Sequence, residues 1–310
     1  MEKSSPLLFE NSHEDGSIGA LKMLVSDIFT WEIIYQISQF AIRVAFMKYS
    51  KIIVKTKADN DKAKAALLEQ GPSYIVSFVH SMYVTARGMM HLYSLVGASN
   101  LDKIRIAPEG DYRAAHLEVG RTNILFLAYL FYDMIHILAQ YPKLGGGDTM
   151  MHHMLFAFCS VINGTYGIMP FQFGWLITGE LSTIFLNWRW FLLKSGRDSG
   201  SLLENVNSMF AAAFFITRIV MYTAGIVHLY IFSRSELRSL SSLEVSGVPL
   251  SALGITCGCM ALGWVLNLYW GAKILSKLVR ARPKVVIEDS NTKVKVDAKT
   301  GKKNRRSKRD

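Results

Sequence analysis

Apolar residues gather in seven stretches, near 25–47, 73–97, 120–140, 149–167, 172–194, 206–232 and 252–277, joined mostly by short polar connections. A membrane-spanning helix needs roughly 20 predominantly apolar residues. The pattern therefore predicts an all-α polytopic membrane helix bundle with about seven transmembrane helices. The first stretch departs from the others: Glu32, Gln36, Gln39 and Arg43 recur at i, i+4, i+7 and i+11 and draw one polar face along it. It is expected to span with that face turned inward; a helix lying in the interface is the alternative. The same pattern divides the chain into a soluble N-terminal segment (1–24), a first helix with a basic loop (25–69), a membrane domain (70–280) and a basic tail (281–310).

Half of the residues are hydrophobic and 19% are charged, a balance that fits a membrane protein and argues against a soluble two-domain one. The net charge of +11 is concentrated in connections and in the tail. Basic runs beside apolar spans point to an anionic membrane surface as partner, and not to nucleic acid. Short loops rich in Lys and Arg face the cytosol. These are the 48–64 segment with Lys48, Lys51, Lys55, Lys57, Lys62 and Lys64, the turns near Lys143 and near Lys194 and Arg197, and the tail with Lys302, Lys303, Arg305, Arg306, Lys308 and Arg309. The mixed-charge loops 98–119 and 234–248 and the uncharged 168–171 turn then face the lumen, with the N-terminus lumenal and the C-terminus cytosolic.

The first 22 residues hold Glu2, Glu10, Glu14 and Asp15 and no apolar run before a small-residue site, so no cleaved signal peptide is expected. Cys159, Cys257 and Cys259 sit inside apolar stretches without a C-x-x-C spacing and are expected to be packing residues. Asn163-Gly-Thr is a formal glycosylation sequon too close to the bilayer to be modified. The final Arg306-Ser-Lys308-Arg-Asp310 loosely resembles a basic retrieval signal for the endoplasmic reticulum.

An ionisable side chain at bilayer depth costs about 2.5–3.5 kcal/mol on insertion scales, so each one points to a polar interior. The run Lys143-Leu-Gly-Gly-Gly-Asp148 is a hinge that delivers His152 and His153 into an apolar segment. Asp133, on the preceding stretch, lies at similar depth. A carboxylate beside an imidazole fixes its tautomer and raises the basicity of the other ring nitrogen, as a general base or nucleophilic histidine requires. The alternative is a set of polar groups that only satisfy one another in helix packing. Adjacent histidines diverge by about 100° on a helix, so both are not expected to hold one metal, and no metal site is assigned.

Glu180, Thr183 and Asn187 share a helical face at i, i+3 and i+7, and Glu180 has the depth to pair with Arg218, as a structural clamp or as part of a site. His80 and Tyr83 are expected to complete the polar lining, with Arg87 deeper on the same helix. Trp188 and Trp190 are expected as interface anchors around Arg189. His91, His136 and His228 are expected as packing residues.

The ordered set His80, Tyr129-Leu-Phe-Tyr-Asp133, Gly147-Asp148 with His152-His153, Glu180-Leu-Ser182, Asn187-Trp-Arg189-Trp190 and Phe214-Phe-Ile-Thr-Arg218 resembles the TLC family. That family is named for the translocating-chain-associated membrane protein, the Lag1 ceramide synthases and the CLN8 protein. The resemblance covers roughly residues 70–280. It implies a six-helix core around a polar cavity, an extra span, and residence in the endoplasmic reticulum. The ceramide synthase branch transfers a fatty acyl group from acyl-CoA to a sphingoid amine at paired histidines. By that resemblance His152 and His153 handle the acyl group, Asp133 and Glu180 support them, and His80, Tyr83, Ser182, Asn187 and Arg218 line the substrate site. The sequence departs from that branch at its His-Asp-x-x-Asp element. Here the element reads Gly179-Glu180-Leu181-Ser182-Thr183, which keeps one acid and loses the histidine and the second acid. The run Lys143-Leu-Gly-Gly-Gly-Asp148 also resembles the Lys-x-Gly-Gly-Gly-Asp signature of trimeric intracellular cation channels, another seven-span family.

The expected function is that of a multi-pass membrane protein of lipid homeostasis. It is either a lipid acyltransferase, with His152 or His153 as base or transient acyl acceptor, or a non-enzymatic lipid-binding regulator of membrane composition; an intracellular cation channel is a third possibility. Membrane lipids are the expected partners, with acyl-CoA as co-substrate for the enzyme and no bound cofactor.

Overall fold

The computed structural model describes residues 16–53, 60–106, 110–241 and 248–281. Most of the N-terminal segment, part of the basic 48–64 loop, and the basic tail with its Arg306-to-Asp310 run lie outside the described residues. The helices are α1 (Gly16–Ile53), α2 (Asn60–Leu95), α3 (Asn100–Ile104), α4 (Arg113–Ala139), α5 (Gly147–Tyr166), α6 (Pro170–Thr178), α7 (Leu181–Lys194), α8 (Ser201–Phe232), α9 (Arg234–Ser241) and α10 (Leu250–Ala281). On length and composition alone, α4, α8 and α10 are long and apolar enough to cross a membrane. With α6 and α7 taken as one broken rod, the long rods fall on the seven apolar stretches of the sequence. The chain is an all-α membrane helix bundle.

Rods α2, α4, α5, α10, α8 and α7 pack in a closed ring, each against the next, and α1 lies outside it on α2 and α4. The face that α1 turns inward carries Trp31, Tyr35, Ser38 and Phe46, all buried. The polar face expected there lies one residue away, about 100° round the helix. Gln36 and Arg43 are exposed, while half-buried Glu32 accepts from Gln36 at 2.6 Å and pairs with His136 of α4 at 3.1 Å. Ring packing holds this face: Trp31 meets His80 and Tyr129 edge-on, and Tyr35 packs on Tyr132 and His136. His136 is thus a partner of α1 and not only a packing residue.

The two ends of the bundle differ. At one end Lys143, after α4, bonds Glu69 of α2 at 2.5 Å. At the other, the connection through α3 is stitched to the α5–α6 turn: Ile106 N donates to Gly167 O, and Met169 N to Ile104 O, each at 2.8 Å. Ser99 caps α3, its Oγ accepting from Asp102 N at 3.1 Å. Gly167 ends α5 in the left-handed region at φ 59°, a cost only glycine avoids, and Pro170 opens α6 where its missing N–H is not needed. Asn163, the sequon residue, is buried in this turn.

Two local features shape the interior. Between α6 and α7 the backbone tightens, Gly179 N and Glu180 N donating three residues back to Leu176 O and Ile177 O, and the Gly179 carbonyl is left for a side chain. In α8 the turns Phe214–Met221 and His228–Phe232 are π-helical, widening the helix where Arg218 turns inward.

Candidate functional site: a polar-floored cavity

The ring of rods encloses a cavity of about 660 Å³, within the usual range for small-molecule sites. All six ring rods line it; α1 and α3 do not. Its lining follows one stripe per helix: Ser73, Ser77 and His80 on α2; Phe126, Tyr129, Leu130, Asp133 and Ile137 on α4; Asn207, Ala211, Phe214 and Arg218 on α8. On α4 the stripe runs over about 16 Å at 1.5 Å per residue. The innermost positions, His80, His153, Glu180 and Arg218, form a polar floor near mid-bundle, with Phe126 beside them. Leu130, Ile137, Leu186, Phe210 and Leu278 make the walls apolar, and Arg189, Lys273, Lys277 and Asp148 lie toward the end that holds Lys143.

The Asp133–His153 pairing expected from depth is present. His153 Nε2 lies 2.8 Å from Asp133 Oδ2 and Nδ1 donates to Thr149 O at 3.0 Å. Both ring nitrogens are engaged, whether the shared proton sits on the imidazole or on the carboxyl. His153 therefore has no free lone pair. His152 is placed differently: its ring packs on Phe156 at 4.5 Å and Trp270 at 5.5 Å, lines the cavity, and has no protein hydrogen bond among the described residues. Replacing Asp133 with Asn removes a charge-assisted bond and is expected to destabilise the protein by about 2 kcal/mol, read as a lower thermal midpoint in detergent.

The Glu180–Arg218 pair is also formed. Arg218 Nη2 donates to Glu180 Oε1 at 2.8 Å and to Thr183 Oγ1 at 3.2 Å, while Nε donates to Gly179 O at 3.0 Å and to Ser182 Oγ at 2.9 Å. Thr183 in turn donates to Glu180 Oε2 at 2.7 Å. The break after α6 is what exposes the Gly179 carbonyl to this guanidinium. Asn187 donates to Ser77 Oγ at 3.0 Å and ties α7 to α2. His80 stacks on Tyr129 at 3.5 Å between ring centroids and meets Trp31 edge-on at 5.5 Å, so α1 backs the cavity wall without touching the cavity.

Of the residues singled out in the sequence, Asp133, His152, His153, Glu180, His80, Ser182, Asn187 and Arg218 all line this one cavity. Tyr83 does not: it is 41% exposed on the outside of α2, because three residues turn a helix by about 300° and not a full circle. Trp190 is likewise not a free interface anchor, since it stacks on Tyr74 at 3.9 Å. Arg189 bonds Asn207 Oδ1 at 2.8 Å inside the cavity mouth. Asn207, Trp270, Lys273 and Lys277 were not anticipated. Their signal was present as spacing: Asn207 precedes Arg218 by i+11, and Trp270, Lys273, Ile274 and Lys277 recur at i, i+3, i+4 and i+7. His91 is a satisfied packing residue, bonded to Thr122 Oγ1 at 2.9 Å. Among the described residues no group of three or more His, Cys, Asp or Glu is placed to hold a metal ion.

The profile of the TLC domain matches residues 72–276. The chain belongs to the TLC domain family. Among similar proteins, TLC domain-containing protein 4-B of Danio rerio is 30% identical over 214 residues, covering 65% of this chain and 71% of that protein. TLC domain-containing protein 4 of Xenopus tropicalis is 29% identical over 219 residues, 68% of this chain and 77% of its own. TLC domain-containing protein 4 A of Dictyostelium discoideum is 23% identical over 155 residues, 49% and 55% of the two chains. Within the TLC domain the Gly145–Gly147 run is the entry to α5, with Gly146 at the cap position.

Proposed function

We propose that this TLC domain protein is a lipid acyltransferase of the endoplasmic reticulum membrane, its cavity mouth facing the cytosol, and that His152 is its base. The observation that carries this is the division of labour between the two histidines: both His153 nitrogens are engaged by Asp133 and Thr149, while the His152 ring borders the cavity with no hydrogen bond among the described residues. An acyl-CoA thioester enters from the end with Arg189, Lys273 and Lys277. As the N–H or O–H of a lipid acceptor attacks the thioester carbonyl carbon, His152 takes its proton and returns it to the departing thiolate, giving an amide or ester and free CoA thiol.

His152→Ala is expected to lower acyl-CoA consumption by purified protein by about 10²–10⁴-fold, with a smaller fall in thermal midpoint than His153→Ala, because it loses ring packing on Phe156 and Trp270 but no hydrogen bond among the described residues. His153→Ala is expected to lower both. Full activity in His152→Ala would overturn the assignment. A non-enzymatic lipid-binding role is favoured by one observation: Thr183, where ceramide synthases carry a second acid, serves the Arg218 clamp. Cells carrying His152→Ala with His153→Ala, but an unchanged lipid profile relative to wild type, would select that role.

A further inference from the structure

We propose that Arg218 is a carbonyl-binding residue: its unengaged Nη1 edge holds the carbonyl oxygen of an ester-, thioester- or amide-linked lipid chain at the cavity floor. The inference rests on the cavity being a lipid site, as in the proposed function, but holds whether the bound lipid reacts or is only carried.

A guanidinium has five N–H donors. In Arg218 the Nε–H is shared between Gly179 O and Ser182 Oγ, and Nη2 serves Glu180 and Thr183. Nη1 has no acceptor among the described residues. The side chain is 9% exposed, it lines the cavity, and its other edge is fixed by four contacts. Arg218 is not among the buried groups left without a partner, so its free edge stays open to the cavity it lines, and the cavity's occupant is the natural source of an acceptor.

Charge decides what kind of acceptor fits. Asp133 with His153, which share one proton, and Glu180 with Arg218 form two closed pairs of no net charge at the floor. A carboxylate or phosphate placed there would leave one uncompensated negative charge in an apolar enclosure. A carbonyl oxygen brings no net charge, accepts the N–H, and gains negative charge only if the carbon is attacked. A preset donor then stabilises the developing oxyanion. His152 lines the same cavity, so base and carbonyl donor are available to one ligand.

The test compares pairs of ligands that differ only by the carbonyl, bound to the purified full chain. These are palmitoyl-CoA against its hexadecyl thioether analogue, and a diacylglycerol against the matching dialkyl ether. Wild type is expected to prefer the carbonyl member by roughly ten- to hundredfold in at least one pair. The double variant Arg218→Met with Glu180→Leu, which leaves no unpaired charge, is expected to keep affinity for the ether member and lose the preference. A second measurement needs no variant: the infrared stretch of a ¹³C-labelled ligand carbonyl is expected to move to lower frequency on binding wild type.

Equal affinity within both pairs, a preference that survives in the double variant, or an unshifted carbonyl band would overturn the site. Preference only in the glycerolipid pair would support the site while sinking the acyl-CoA donor. Preference in the CoA pair with no turnover would support the site while sinking catalysis.

Discussion

Valine at Gly88 is expected to leave almost no folded protein. Gly88 of α2 faces α6 so closely that a Cβ would lie 2.7 Å from the Gly174 carbonyl oxygen and 2.9 Å from Ile177 Cγ1. Close backbone approach through small residues is a main source of helix association in membranes, where no aqueous hydrophobic effect drives rods together. A methyl cannot be absorbed by rotating a side chain here, because the obstacle includes backbone. Overpacking costs about 1–3 kcal/mol per insertion; alanine is expected near the upper end and valine beyond it. Gly254 of α10 is the control, since a Cβ there meets nothing within 4 Å and alanine gains helix propensity of up to about 1 kcal/mol. Size-exclusion recovery and thermal midpoint in detergent should separate the two positions; a well-folded Gly88→Val protein would show that α2 and α6 do not pack as described.

Removing one member of the Glu180–Arg218 pair is expected to cost far more than removing both. Arg218→Met strands the Glu180 carboxylate, whose side chain is 16% exposed, with Thr183 as its one donor among the described residues, and truncation of one partner in such buried pairs costs about 3–5 kcal/mol. Arg218→Met with Glu180→Leu removes the stranded charge and is expected to recover most of that loss. A double-mutant cycle on thermal or denaturant unfolding reads the coupling; additive losses would mean that the pair contributes no mutual stabilisation.

The two ion pairs differ in how visible they were beforehand. Asp133 and His153 lie on adjacent helices joined by a short hinge, so depth alone brought them together. Glu180 and Arg218 were matched by the cost of an isolated charge in an apolar segment. Depth gives no azimuth, however. Tyr83 has the right height and the wrong face, and Trp190 lies at the right end of its helix but stacks inward on Tyr74.

Hydropathy reports the bilayer and not the helix, which is why α2 begins at Asn60, well before its apolar stretch, through Lys62, Lys64 and Glu69. The break at Gly179 and Glu180 lies in an unbroken apolar run and depends on Arg218, which takes the carbonyl the break releases, a contact made across 39 residues. The separate duties of His152 and His153 depend on which ring finds acceptors, and adjacent identical letters carry no trace of that.

The position of Trp31 bears on where this protein ends as a physical object. The family match starts at residue 72, inside α2 at its only proline, and excludes α1 altogether. A chain trimmed to the match would lose the first third of one wall helix. It would also remove the indole that packs on His80 and Tyr129 from behind and donates to Leu125 O at 3.4 Å, leaving two cavity-lining rings without their backing. The segment recognised across the family is thus smaller than the segment that supports its own interior.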